Sequence, residues 1–264
     1  MDGARTPFLK SKNRPGPFAA SDLATQAGRT LLARQKFAPD ELDEVILGCA
    51  APSVDEVNIG RVAALRMGCG QQVPGWTVMR NCASGMQAVD SGISNILAGR
   101  SELVLAGGVD ALSRAPLLYG DKMVLWFSEM AVSKTAFQKT ALFAKLPVKA
   151  LLAPVIGIMK GLTDPMVGLL MGQTAENVAH RFGITREQMD AFSVRSHQRA
   201  ARAQEEGRLA PGGGEVEALY DADGVTFPLD DGVRRDSSME NLAKLKPFFD
   251  RKRSEEHTSE LQSR

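Results

Sequence analysis

Arg80-Asn81-Cys82-Ala83-Ser84-Gly85-Met86-Gln87-Ala88 sets a cysteine between two runs of different character. Gly75-Trp76-Thr77-Val78-Met79 reads as a strand, and Ser84 to about Leu97 reads as a helix. A thiol at a helix N-terminus faces unpaired backbone N–H groups and the positive end of the macrodipole, and both favour the thiolate. Ala83, Ser84 and Gly85 are small and leave room for a bulky substrate. From these local features two readings stand open: a nucleophile, or a core cysteine of the kind most unpaired cysteines are.

Working outward, the same strand-then-helix grammar recurs. Residues 22–32 carry apolar side chains at helical spacing, with Ser21 placed to cap them. Glu44-Val45-Ile46-Leu47-Gly48-Cys49 is a short apolar run bounded by turn chemistry, which predicts a buried strand with Cys49 in the core. Asn58 can cap a helix through Met67 that stops at Gly68, leaving Cys69 in a loop. Glu102-Leu103-Val104-Leu105-Ala106-Gly107-Gly108 is a further strand ending in a glycine pair. That pair lacks the G-x-G-x-x-G spacing of a dinucleotide loop, so a tight turn with close backbone approach is preferred to a phosphate site. Strands alternating with helices imply an α/β fold with a mostly parallel sheet covered by helices.

Composition narrows the function classes. The 264 residues are 44% hydrophobic and 24% charged, ordinary for a globular chain, and the formal net charge is +1. Neither that charge nor any aromatic–basic interleaving supports nucleic acid as a partner. Cys49, Cys69 and Cys82 fit neither a disulfide framework nor a metal site, and point to a reducing compartment. The longest uncharged apolar run, 150–159, has ten residues, too few to span a membrane. The expectation is a soluble, cytoplasmic protein.

The character shifts near Leu117. Residues 121–160 hold six lysines against Asp121 and Glu129, a local net of +4, interleaved with Trp126, Phe127, Phe137, Phe143, Leu151, Leu152 and Ile156. Such a basic amphipathic stretch could lie on a membrane surface or dock a partner; a helical cap with solvated lysines is the preferred local reading. Thr185-Arg186-Glu187-Gln188 has capping-box spacing and opens a helix to Glu206. His180 and His197 read as structural residues on helices. Asp221-Ala222-Asp223-Gly224 reads as a hairpin turn; a calcium loop fails for want of a glutamate at its twelfth position.

Five motifs in order resemble the thiolase family. They are Arg5-Thr6-Pro7-Phe8, the Asn81–Ala88 segment, Ala106-Gly107-Gly108-Val109-Asp110 through Ala115-Pro116, Met171-Gly172-Gln173-Thr174-Ala175-Glu176-Asn177-Val178-Ala179, and Leu245-Lys246-Pro247-Phe248-Phe249. The resemblance implies the N-terminal half of a thiolase-like fold with an inserted, mainly helical loop domain. It implies that Cys82 is the nucleophile, attacking an acyl-CoA thioester and holding the acyl group as an enzyme thioester. In the degradative direction a 3-oxoacyl-CoA is cleaved with CoA to acetyl-CoA and a shortened acyl-CoA. Coenzyme A is then a substrate, and no cofactor or metal is expected. Exchange of one thioester for another costs little free energy, and the Cys82 N–H would help hold the tetrahedral oxyanion. Met171 would flank the acyl or pantetheine pocket, a core methionine being the alternative. Leu169-Leu170, in place of an aromatic–histidine pair, together with the 121–160 stretch, resembles the thiolase subunit of fatty-acid oxidation complexes. That branch implies contact of 121–160 with a membrane or with a hydratase–dehydrogenase subunit, and the family implies a homo-oligomer.

The sequence also departs from the family. Its second half supplies an activating histidine, a second cysteine and a histidine–asparagine oxyanion site, and no such motifs occur here. Residues 253–263 lack apolar periodicity and look like a reading frame of a sequencing-library adapter; the expectation is a coding sequence cut near Lys252. Almost no first strand precedes Arg5. The expected organisation is a half-domain over 1–115, a loop domain over 116–245, a link over 246–252 and a non-native tail over 253–264. Loss of a half-molecule predicts exposed apolar surface and an inactive chain, at most a single-acylation trap. A ketoacyl synthase-like condensing enzyme, which the Met171–Ala179 signature disfavours, and a non-catalytic partner-docking fragment are the alternatives.

Overall fold

The computed structural model describes residues 1–12, 14–211 and 215–249, which form two compact units. The first comprises 1–114 and 179 onward, the second Ala115–Val178. The loop region expected over 116–245 is thereby divided, its later part grouping with the first unit. Long-range bonds explain this. The Arg5 guanidinium makes a bidentate pair with Asp230 at 2.8 and 2.9 Å, and the Arg5 backbone pairs with Glu215 and Glu217. The expected 253–264 tail and the end of the 246–252 link lie outside the described residues.

The first unit begins with α1 (Ala20–Ala33), β1 (Glu44–Gly48), α2 (Ile59–Met67), β2 (Gly75–Val78), α3 (Ser84–Leu97) and β3 (Val104–Gly108). The three strands form a parallel sheet in the order β2-β1-β3. Val45 lies beside Gly75 on one side and Leu105 on the other. β1 is buried along its whole length, as a central parallel strand covered on both faces must be. Its alternation divides the core. Val45, Leu47 and Cys49 join Leu32, Ile59, Ala63, Ala64 and Met67 in the α1–α2 layer, while Gly48 lies against the first turn of α3 on the other face.

Asn58 caps α2 as predicted, its Oδ1 accepting from Arg61 N–H at 3.2 Å. The Ser21 cap is corrected. α1 starts earlier, with Asp22 reaching back to the Ala19 N–H at 2.9 Å. Ser21 is fully buried inside the helix, donating to Glu56 and accepting from Arg66. The carboxylate of Glu44, 7% exposed, accepts from Trp76 Nε1 (3.0 Å), Asn95 Nδ2 (2.6 Å) and Ser101 Oγ (2.9 Å). It thus ties β1 to β2 and to the C-terminal part of α3.

The second unit holds β4 (Leu117–Leu118), α4 (Asp121–Val132), α5 (Ala136–Ala144), α6 (Val148–Leu152), β5 (Val155–Ile156) and α7 (Gly157–Gly161). β4 and β5 pair antiparallel, an element the sequence reading did not foresee. Met123 is its buried centre, and Trp126 stacks edge-on with Phe127 and Phe143 while donating to the Leu142 carbonyl at 2.9 Å. Leu125, Phe137 and Leu152 stay exposed beside the lysines.

α8 (Met171–Arg181) gives its residues through Val178 to this unit. The rest of the first unit contains α9 (Arg186–Glu205), β6 (Leu219–Tyr220), β7 (Thr226–Phe227) and α10 (Met239–Ala243). The Thr185–Gln188 capping box is present, with bonds of 2.9 and 3.3 Å. β6 and β7 form the predicted hairpin around the Asp221 turn. Among the described residues no helix is long and apolar enough to cross a membrane, and no group of His, Cys, Asp or Glu could hold a metal ion.

Candidate active site

Parallel strands leave the sheet on one edge, and there the chain can turn directly into a helix whose N-terminus points back at the strand ends. β2 ends at Val78 and α3 starts at Ser84, so residues 79–83 form a connection at that edge. Ala83 is the N-cap residue and Cys82 precedes it, exposed. Asn81 has φ 48°, the only non-glycine residue with positive φ among those described. Asparagine tolerates this left-handed conformation better than most residues, which is a reason for its place here.

The turn is closed by four hydrogen bonds. Ala83 N–H donates to Arg80 O at 3.0 Å, and Ser84 N–H to Asn81 O at 3.1 Å. The Ser84 hydroxyl, on a residue 2% exposed, accepts from the Arg80 N–H at 2.8 Å and donates to Asn81 O at 2.6 Å. Gln87 N–H reaches Ala83 O at 2.9 Å. The Gly85 and Met86 N–H groups have no acceptor among the described residues, as first-turn donors often do not.

Small residues seat the helix. Ser84, Ala88 and Gly92, spaced by four, bury one face of α3 against the sheet. A Cβ on Gly48 would lie 2.2 Å from the Ser84 carbonyl, and one on Gly108 would lie 2.7 Å from Gly85 Cα. Gly108, the last residue of β3, thus serves the close backbone approach that the sequence suggested for the glycine pair, whereas a Cβ on Gly107 would meet only the Leu47 side chain at 3.7 Å. The opposite face of α3 is also apolar and uncovered: Met86 is 74% exposed and Leu97 82%, with Ile93 and Ile96 between. Beside the turn, an open hollow of about 320 Å³ is lined by Arg80, Ala83, Met86, Gln87, Asp90 and Ile93. Arg80 donates to Gln87 at 2.5 Å, and Gln87 to Asp90 at 3.1 Å.

The other cysteines have a different setting. Cys49 is fully buried, its Sγ 3.4 Å from Asp110 Oδ1. Burial, with the Asp110 charge added, pushes its thiol up to about 12. Asp110 also accepts from the Ala50 and Ala51 N–H groups at 3.0 and 2.9 Å, anchoring the exit of β1. Cys69 is buried in its loop, and its thiol is likewise raised by burial. Of the three thiols, only that of Cys82 is exposed.

Met171 opens α8 and is 46% exposed. Its N–H donates to Leu162 O at 3.0 Å, and the loop before it is closed by Asp164, whose carboxylate accepts from Met166 N–H at 2.7 Å. Cys82 and Met171 belong to different units. His197 accepts from the Arg234 N–H through Nδ1 at 3.2 Å, and His180 lies near the end of α8. The sequence reading named Cys82 but passed over Asn81, Ser84 and Asp110 as determinants of local geometry. Asparagine before the cysteine, serine at the helix start and aspartate after a strand were the available signals.

Comparison with known proteins agrees with this architecture. The family model for the N-terminal domain of thiolases matches residues 1–255. The 3-ketoacyl-CoA thiolase of Yersinia enterocolitica is 34% identical over 262 residues, covering 96% of this chain and 56% of that protein. The mitochondrial trifunctional enzyme subunit beta of Bos taurus is 32% identical over 249 residues, covering 94% of this chain and 50% of that protein. Among solved structures, human mitochondrial 3-ketoacyl-CoA thiolase in complex with CoA superposes with a TM-score of 0.78 at 28% identity, over 94% of this chain and 57% of that one. The Bacillus anthracis acetyl-CoA acetyltransferase gives 0.76 at 31% identity, over 94% and 58%. The chain spans about half the length of the curated relatives it matches. With strand order, cysteine turn and family model in agreement over nearly its whole length, the chain belongs to the thiolase family, whose N-terminal domain it carries.

Proposed function

We propose that this chain carries the acyl-accepting half of a thiolase, an acetyl-CoA C-acyltransferase, with Cys82 as the nucleophile. The observation that carries the reading is the one exposed thiol, held on a preset turn directly before α3. Its sulfur attacks the carbonyl carbon of an acyl-CoA, and the Cys82 backbone N–H helps hold the tetrahedral oxyanion. Collapse breaks the carbon–sulfur bond to CoA, the thiol proton passes to the departing CoA sulfur, and the acyl group remains on Cys82 as a thioester. With a 3-oxoacyl-CoA the bond broken is the one between C2 and C3, acetyl-CoA leaves, and free CoA then takes the shortened acyl group. Coenzyme A is substrate throughout.

That second course needs a base for the thiol and an acid for the leaving carbanion. Cys49 does not supply either, being buried and held as a thiol. Acylation is the step this reading assigns to Cys82 itself. Met171, half exposed at the start of α8, is assigned to the acyl or pantetheine pocket on the resemblance of its segment.

The second unit is assigned to docking a hydratase–dehydrogenase subunit or a membrane surface. Exposed Leu125, Phe137 and Leu152 beside a local charge of +4 support this, as does the similarity to a trifunctional enzyme beta subunit. A homo-oligomer is assigned on the resemblance to the family, and a cytoplasmic location is assigned with the support of three unpaired cysteines. Incubation with acetyl-CoA followed by mass spectrometry tests the central reading: acetyl on the Cys82 peptide supports it, and none refutes it. Substitution of the exposed residues of 121–160 should abolish co-purification with the partner; unchanged co-purification would reject the docking role.

A further inference from the structure

We infer that Ser84 is a positioning residue for Cys82, an inference that rests on reading Cys82 as an acyl acceptor. Three observations converge on it. Ser84 is a polar side chain that is 98% buried, and its hydroxyl uses both of its capacities within five residues. It accepts from the Arg80 N–H at 2.8 Å and donates to the Asn81 carbonyl at 2.6 Å, so it bridges the two residues preceding the cysteine. Asn81 is held at φ 48°, a conformation that costs free energy and needs local bonds to persist. The clasp lies on the side of the turn that faces the sheet, since the Ser84 carbonyl abuts Gly48. Cys82, between the bridged residues and the helix, is exposed.

The consequence is geometric. Attack on a thioester requires the sulfur to approach the carbonyl carbon along a narrow path while the backbone donors stay aimed at the oxygen. Attack on a small alkyl halide has no oxyanion to align. In the acylation step the Cys82 Sγ–carbon bond forms, the carbon–sulfur bond to CoA breaks, and the thiol proton ends on CoA. Loosening the 80–84 turn should therefore slow acylation far more than alkylation.

The test uses the full chain and its Ser84→Ala and Ser84→Thr variants. Three readouts are taken: acetylation of Cys82 by acetyl-CoA, alkylation of Cys82 by iodoacetamide, and hydrogen exchange at the Arg80 amide. Ser84→Ala should slow acetylation at least about tenfold, in line with the cost of sub-ångström misplacement, while alkylation changes less than about threefold. The Arg80 amide should exchange at least about tenfold faster in this variant, since its acceptor is gone. Ser84→Thr, which keeps the hydroxyl, should restore both. Equal acetylation by Ser84→Ala and the parent chain, an unchanged Arg80 exchange rate, or a matched fall in acetylation and alkylation would each overturn the inference while leaving Cys82 as acyl acceptor. A parent chain that alkylates at Cys82 but takes no acetyl group would overturn that underlying reading and the inference with it.

Discussion

Gly48→Ala tests whether the seat of α3 sets the position of the cysteine turn. The added Cβ would lie 2.2 Å from both the carbonyl carbon and oxygen of Ser84 and 2.5 Å from Gly85 N, against 3.4–4 Å for ordinary contact. Every one of these atoms is backbone, so no side chain can swing away, and α3 must retreat by roughly 1 Å or more. Overpacking a core costs about 1–3 kcal/mol, and a clash with a helix backbone belongs at the upper end. At about 2–4 °C per kcal/mol for a domain of this size, the melting temperature should fall by about 6–12 °C. Ser84 and its clasp travel with the helix, so acetylation of Cys82 should drop by roughly a hundredfold as well. Gly107→Ala is the control: its Cβ would meet only Leu47 Cδ2, at 3.7 Å, and should be tolerated. Thermal denaturation by circular dichroism, with acetylation followed by mass spectrometry, gives both readouts. A Gly48→Ala chain that melts and acetylates like the parent would refute the packing account.

Other consequences follow from the same contacts. Burial alone would raise the Glu44 carboxyl, but hydrogen bonds from Trp76, Asn95 and Ser101 outweigh it and hold it below the usual carboxylate range. Its contribution is therefore complete above the unfolded carboxyl range and lost as pH falls through the lowered folded value. Glu44→Gln, which turns one acceptor oxygen into a donor, should cost about 1.5–3 kcal/mol at neutral pH by urea denaturation, with the difference shrinking in acid; a loss equal at both pH values would contradict this. Asn81→Gly should keep stability and Cys82 chemistry, while Asn81→Val should cost about 1–3 kcal/mol, because a β-branched residue resists positive φ. Ile93→Lys and Leu97→Lys, on the uncovered face of α3, should change stability by less than about 0.5 kcal/mol and reduce self-association in sedimentation. A large loss of stability there would show that the face is covered.

Much of the first unit was legible because its determinants are local. The β2–turn–α3 unit, the Asn58 cap, the Thr185–Gln188 box and the Asp221 hairpin each lie within a few neighbouring residues, and each was found where expected. What escaped depends on distant partners. Ser21 looks like a cap in sequence, but Glu56 and Arg66, far along the chain, make it a buried hydrogen-bonding residue. Nothing local ties Arg5 to Asp230 or Arg34 to Glu217, and such pairs help join the later part of the chain to the first unit. β4 and β5 have two residues each, too short for any periodicity to register. At the candidate site, the cysteine announced itself by flanking pattern. The left-handed Asn81 and the Ser84 clasp are conformational facts, and residue types only hint at them.

The acyl-accepting role of Cys82 is tested most directly by brief incubation of the full chain with acetyl-CoA, followed by peptide mass spectrometry and then by addition of free CoA. The account predicts one acetyl group, on the peptide containing Cys82, absent in Cys82→Ser and removed by CoA. An unmodified Cys82 peptide, or an acetyl group carried equally by the Cys82→Ser chain, would contradict it.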